Sequence, residues 1–486
     1  MAILRRSLII NFFSSSGATI LQLVVSILLA RILSPAEIGV YSMTLVFVNF
    51  AQVFRDFGVT QYIQREAELT PEKLRAANGV AFTSSWLIAS CLYLSSGVVG
   101  RWFAEPGITP VMQVLAMGFV LIPFSSITNA MLTREFAAEK QAYVNAAGTI
   151  AFCISCLVLA KLGFSSMSLA WANFINIVTS TVAFSLLRPR NLPWLPSFSH
   201  WRSIAHFGAG SLLSNSVSAI NNALPDILLG KLGSASQVGL LSRANSTVQI
   251  FIYVAGSTVS YGAVSYLAQT YHRGESLVPV LRRATVLLTG VGWAALALTA
   301  VFGRDIMLAL YGPTWLEAVP AILPLALAAA TAMTFHYIPL AVTAIGRPYL
   351  SAAPVLVTLL ARIAFGVLLY DGSLDGFAWA LCLATLVTTP VIAFQQSRCL
   401  GLGTPSLLRA LVPSAVVAVG SAAAGALLMA LMPAALSPLT RLLLLGPVLA
   451  AVWYLLLRLT RHELVGEVHR LAAPIKTRLA LLRADT

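Results

Sequence analysis

Long apolar runs, each ended by a short polar break, recur along the whole chain. At about 20 residues per bilayer crossing, they predict fourteen helical spans, at about 9–33, 37–58, 78–100, 108–131, 143–162, 165–187, 206–230, 236–260, 283–303, 316–340, 350–370, 375–397, 407–431 and 437–457. The runs lack the polar alternation of barrel strands, so their backbone hydrogen bonds must be met within each helix. The longest connections, about 59–77, 188–205 and 261–282, are too short for a soluble catalytic domain. Thr70-Pro71-Glu72-Lys73 reads as an N-cap followed by proline at the first helical position, which predicts a short surface helix there. Arg5 and Arg6 precede the first run, but it is too long for a signal peptide and lacks a small-residue cleavage site, so it is expected to be a span.

One polar break occurs twice. Residues 27–42 read ILLARILSPAEIGVYS and residues 227–242 read ILLGKLGSASQVGLLS, with six of sixteen positions identical at an offset of 200. Ser34/Ser234 and Gly39/Gly239 are among the identities, and the cations Arg31/Lys231 align. A fixed-period echo of this kind is architectural. Six spans lie between the copies, so both run in the same direction. The prediction is a parallel repeat: an N-lobe of six spans over 1–200, a C-lobe of six over 201–400, two additional helices over 401–457, and a basic tail over 458–486, partly amphipathic and expected on the membrane surface. Two bundles related by an axis along the membrane normal are the usual hardware of alternating access.

Composition agrees with the pattern. Of 486 residues, 58% are hydrophobic and 10% charged, with a mean hydropathy of +0.84, against roughly 25% charged in soluble domains. The fold class expected is therefore an all-α polytopic membrane protein. Placing the amino terminus in the cytoplasm puts 22 of the 31 Lys and Arg residues on the cytoplasmic side, six on the other, and Arg55, Arg243 and Arg362 inside spans. That is strong positive-inside bias, with both termini cytoplasmic. It accounts for the net charge of +14 through anionic lipid headgroups, without nucleic acid. The Cys153-x-x-Cys156 pair lies in an apolar span with no flanking ligands, and there is no phosphate loop or metal-spaced cluster. No cofactor is expected.

The stretch Ala30-Arg31-Ile32-Leu33-Ser34-Pro35, followed by Gly39-Val40-Tyr41, resembles the first helical hairpin of the bacterial oligosaccharide flippases of the polysaccharide-transporter family. Asp56-Phe57-Gly58, Asp226 and Tyr311-Gly312-Pro313-Thr314-Trp315 extend the resemblance over about 8–400. It implies the fourteen-helix fold shared with lipid II flippases and multidrug exporters, a bacterial inner-membrane location, and the movement of an undecaprenyl-diphosphate-linked oligosaccharide to the outer leaflet for exopolysaccharide, O-antigen or capsule synthesis. Other polysaccharide-assembly membrane proteins are conceivable partners on the same ground.

Such a cargo needs a wet, cationic path. Ionisable residues inside spans cost roughly 2.5–3.5 kcal/mol each and are functional candidates by default. Arg362, near mid-bilayer with no carboxylate within a turn, is the leading candidate for a diphosphate or glycan contact. Arg31, Arg55 and Arg243 are the nearest counterparts of the cavity arginines on the first, second and eighth helices of lipid II flippases. Arg31 and Lys231 also fit simple snorkelling to the interface, and Asp226 and Arg243, at similar depth on neighbouring spans, fit mutual neutralisation. If an ion couples transport, Asp226 and Asp56 are the acidic candidates. His336 beside Tyr337 reads as a packed or hydrogen-bonded histidine rather than a proton carrier. A multidrug-type antiporter of the same fold is the alternative, but it calls for cavity carboxylates where this chain has mostly arginine. A membrane polymerase or ligase calls for a larger outer loop than any here.

Overall fold

The computed structural model describes residues 2–467 apart from 57–58, 67, 136, 190–191, 194–195, 198–215, 217–218, 261–262 and 434. Every regular element among the described residues is helical. The first eight are α1 (Ala2–Ala30), α2 (Pro35–Asp56), α3 (Val59–Arg65), α4 (Pro71–Trp102), α5 (Ile108–Leu121), α6 (Pro123–Arg134), α7 (Ala138–Lys161) and α8 (Met167–Leu186). There follow α9 (219–232), α10 (Ala235–Ser260), α11 (Ala263–His272), α12 (Val278–Val301) and α13 (Gly303–Leu310). The last six are α14 (Val319–Thr334), α15 (Ile338–Ala344), α16 (Ala352–Leu368), α17 (Leu374–Leu400), α18 (Thr404–Leu431) and α19 (Pro438–Leu459).

Among the described residues ten spans are long and apolar enough to cross a membrane, and α5 with α6, bent by 58°, makes an eleventh when taken as one crossing. The chain is a multi-pass, all-helical membrane protein. The other three predicted spans, 9–33, 206–230 and 236–260, run partly into residues or side chains outside those described, and their described parts are helical except for the turn at 31–33. The bend differs from the continuous span predicted over 108–131. Pro123 sits at the start of α6, where a proline cannot continue the preceding helix's hydrogen bonding. The expected surface helix at 70–73 is instead the first turn of α4. Thr70 is its N-cap, its hydroxyl accepting from the Lys73 N–H at 3.3 Å, and the helix then runs unbroken for 32 residues.

Two compact units emerge, residues 1–239 and 240–486. In the first, α4 packs on α5 and α7 on α8, with α1 against α7 and α5 against α8. In the second, α12 packs on α18 and α14, α17 on α14 and α16, and α19 on α18.

The start of the stretch assigned to the tail also belongs to the second unit. His462 is 3% exposed. Its Nδ1 accepts the Leu464 N–H at 3.1 Å, so Nε2 carries the proton and donates to Ser414 Oγ at 2.9 Å. Ser414 Oγ also accepts from Thr289 Oγ1 at 3.0 Å. The ring lies so close to Gly290 that a Cβ there would be 2.5 Å from it, and Arg283 pairs with Glu467 at 2.6 Å. Residues 460–467 are thus fastened to α12 and α18. Burial lowers the His462 pKa below the usual 6.5, with Glu463 opposing. The folded state then binds fewer protons than the unfolded one, so this contribution is complete above pH 6.5 and fades as pH falls below it. We expect the thermal midpoint of purified protein to drop between pH 7.5 and 5.5, with a shallower drop in His462→Gln. Equal slopes would exclude this histidine as the source.

Candidate functional site

Both copies of the repeated break cap the helix that follows, the first as a full capping box. In the first, the Ser34 N–H donates to Glu37 Oε2 at 2.7 Å and the Glu37 N–H donates to Ser34 Oγ at 3.4 Å. In the second, the Gln237 N–H donates to Ser234 Oγ at 3.3 Å. The reciprocal pattern S-x-x-E/Q supplies partners to the orphan N–H groups of a helix start. This sets where α2 and α10 begin.

The two starts meet backbone to backbone. A Cβ on Gly39 would lie 1.7 Å from the Ala235 carbonyl oxygen, and a Cβ on Gly239 would lie 1.9 Å from that of Pro35. Positions 35 and 235, like 39 and 239, are equivalent in the repeat, so the crossing has the same contacts read from either copy. Small residues permit such close approach of membrane helices, with Cα–H groups against carbonyl oxygens. One turn before α10, Gly230 makes room for Met43 and Phe103, to which a Cβ would be 2.6 and 2.9 Å away.

The aligned cations differ in role. Lys231 donates from Nζ to the Trp102 carbonyl at 2.8 Å, capping the end of α4, and lies 5.3 Å over the Trp102 ring. Arg31 is exposed in the turn between α1 and α2. Arg55 lies in the last turn of α2, with Cζ 5.7 Å over the buried Phe119 ring, and its carbonyl accepts from Ser84 Oγ at 3.0 Å. Asp56 ends α2, and its side chain lies outside the described residues. Asp226 is half-buried in α9, six residues before its end.

Arg243 is the most enclosed of the candidate cations, 8% exposed. Its Cζ is 5.6 Å from the ring centroids of both Tyr311 and Trp315, which are themselves buried. Gly312, at φ +99°, turns the chain between the two rings, and Pro313 starts the 3₁₀ turn carrying Trp315. The Tyr-Gly-Pro-Thr-Trp motif and Arg243 therefore form one cluster, a join that spacing did not reveal. Arg362 is half-buried in α16, two residues past the middle of that helix. Arg362 lies one turn beyond Thr358, whose hydroxyl meets that of Thr388 on α17 at 2.9 Å. His336 is exposed in the turn between α14 and α15.

One charged pair escaped the sequence reading. Asp305, 3% exposed in the first turn of α13, faces Arg441 at the start of α19 across 3.7 Å. Asp305 falls in the connection 304–315, and Arg441 was counted only among the cations of the outer side, so neither was singled out. The available signal was the position of Asp305 just before the Tyr311 motif. Among the described residues no cluster of His, Cys, Asp or Glu is arranged to hold a metal.

Comparison with known proteins follows the fold. The family described as "Polysaccharide biosynthesis protein" matches residues 28–320. The lipopolysaccharide biosynthesis protein WzxC of Escherichia coli K12 is 22% identical over 45% of this chain and 45% of its own length. The succinoglycan biosynthesis transport protein ExoT of Rhizobium meliloti is 23% identical over 65% and 64%, and the teichuronic acid biosynthesis protein TuaB of Bacillus subtilis is 22% identical over 65% and 65%. The chain thus spans less than two thirds of the length of these curated relatives. Among solved structures, the lipid II flippase MurJ in an inward closed conformation superposes with a TM-score of 0.73 at 12% identity, covering 94% of this chain and all of that one. An inward-facing multidrug resistance MATE transporter gives 0.65 at 15% identity, covering 81% and 96%. The fold is that of these transporters, and the match over more than half of its residues places the chain in the polysaccharide biosynthesis protein family.

Proposed function

We propose that the protein is a flippase that moves an undecaprenyl-diphosphate-linked oligosaccharide from the cytoplasmic to the outer leaflet by alternating access. The observation that carries this reading is the match of 94% of the chain to the fold of a lipid II flippase in a sequence of the polysaccharide biosynthesis family. The charge set supports it. Arg31, Arg55, Arg243 and Arg362 are the substrate-binding candidates, and a guanidinium binds phosphate oxygens in two parallel hydrogen bonds. Asp226 and Asp56 are the candidates for ion coupling or for pairing with these cations. The multidrug antiporter reading draws on the MATE likeness, but the excess of arginine over carboxylate among these intramembrane residues favours an anionic cargo.

Deletion of the gene followed by lipid extraction tests the proposal. Accumulation of undecaprenyl-linked glycan accessible only from the inner leaflet is the expected result, and unchanged lipid pools would favour the antiporter. Arg362→Ala is expected to lower glycan export tenfold or more at normal membrane abundance, the loss of a charge-assisted phosphate contact being worth about 1.5–3 kcal/mol. Export at the wild-type rate would make Arg362 structural.

A further inference from the structure

A groove of about 490 Å³ runs between α4 and α5 in the first unit, lined chiefly by apolar atoms. Trp86, Tyr93 and Leu94 of α4 and Met117 and Val120 of α5 form its walls, and all five are exposed. The Trp86 indole N–H donates to the Val120 carbonyl at 3.3 Å and closes one end. The other end is open. A Cβ on Gly97 would meet nothing within 4 Å, and Arg101 follows one turn later, in the last turn of α4. At 100° per residue, Ser90, Leu94, Gly97 and Arg101 fall on one stripe of the helix.

Arg101 is exposed and makes no ion pair among the described residues. The nearest carboxylate in sequence, Glu105, is turned aside, with Oε1 3.6 Å from where a Gly107 Cβ would stand, next to Val40. Arg101 thus stands two turns beyond Leu94, the last groove residue on α4, on the same stripe of the helix. Ser90, in the groove wall, precedes Arg101 by 11 residues, about 16 Å of helix. Half of a bilayer's hydrocarbon is about 15 Å. A lipid with its phosphate at Arg101 would therefore have its chain along the groove and its chain end near Ser90, within one leaflet.

We propose that the α4–α5 groove is a binding site for an anionic phospholipid of the surrounding bilayer, its phosphate held by Arg101 and one acyl chain lying on Tyr93, Leu94 and Met117. The charge at the open end and the one-leaflet depth select a phospholipid over a long isoprenoid, whose chain would overrun the end closed by Trp86. The site is separate from the transport reading and does not depend on it.

Native mass spectrometry of the full-length protein in detergent, supplied with phosphatidylglycerol, phosphatidylethanolamine or a long-chain polyprenyl phosphate, tests this. Wild-type protein is expected to retain phosphatidylglycerol about fivefold more than phosphatidylethanolamine, the worth of one interfacial cation. Arg101→Gln should abolish that preference, and Ser90→Trp, which fills the groove, should remove the bound lipid. Arg304→Gln, at a cation elsewhere, should change neither. Equal retention of the two phospholipids, loss of preference in Arg304→Gln as well, or displacement of phosphatidylglycerol by equimolar polyprenyl phosphate would each overturn the assignment.

Discussion

Gly39→Ala is expected to destabilise the protein more than any other single methyl addition in the first unit. The new Cβ would sit 1.7 Å from the Ala235 carbonyl oxygen and 2.5 Å from its carbon. Both are backbone atoms, so no rotamer change relieves the overlap, and the starts of α2 and α10 must separate. Overpacking in well-packed interiors costs about 1–3 kcal/mol when side chains can give way; here we expect the upper end or beyond. Gly239→Ala should behave alike, meeting the Pro35 carbonyl at 1.9 Å. Gly446→Ala, in α19 with nothing within 4 Å, is the control. Thermal unfolding in detergent and abundance in membranes are the measurements. A Gly39→Ala protein as stable as the Gly446→Ala control would mean that the crossing is not held this closely.

The second large effect is expected at Trp315. It is 0% exposed and shares Arg243 with Tyr311. Trp315→Ala should cost about 3–5 kcal/mol, from lost burial and the cavity left behind. It also removes one of the two ring faces over the guanidinium, worth about 2 kcal/mol when desolvated. Arg243→Lys keeps the charge but not the flat face that stacks. A double-mutant cycle between Trp315→Ala and Arg243→Lys should therefore give a coupling energy well above experimental error. Additive losses would show that the rings and the guanidinium are stable independently, leaving Arg243 available for cargo alone.

Hydropathy was enough to read the class and the approximate spans, because lipid imposes a length and a composition on every crossing. It missed events smaller than a span. Pro123 bends one predicted crossing, while Pro324, Pro390, Pro413 and Pro447 lie inside continuous helices. Proline alone does not say which, since neighbouring helices can absorb the lost hydrogen bond. The helix caps were legible as S-x-x-E and S-x-x-Q but were read only as aligned polar residues. The site was less legible than the fold. Arg31, Arg55, Asp226, Arg243 and Arg362 could be singled out because charge in lipid is rare, but what each touches depends on packing. Phe119 under Arg55 and Trp315 over Arg243 are distant in sequence and carry no spacing that announces them.

The crossing at Gly39 and Gly239 is built from main-chain atoms, so it makes no demand on side-chain chemistry at the positions around it. Residues 35–38 and 235–238 are free to diverge in polarity, as Pro35/Ala235 and Glu37/Gln237 already do. What the two glycine sites must retain is a hydrogen where every other amino acid has carbon. Side chains on either stretch can thus change over time without loosening the crossing, so long as both glycines stay.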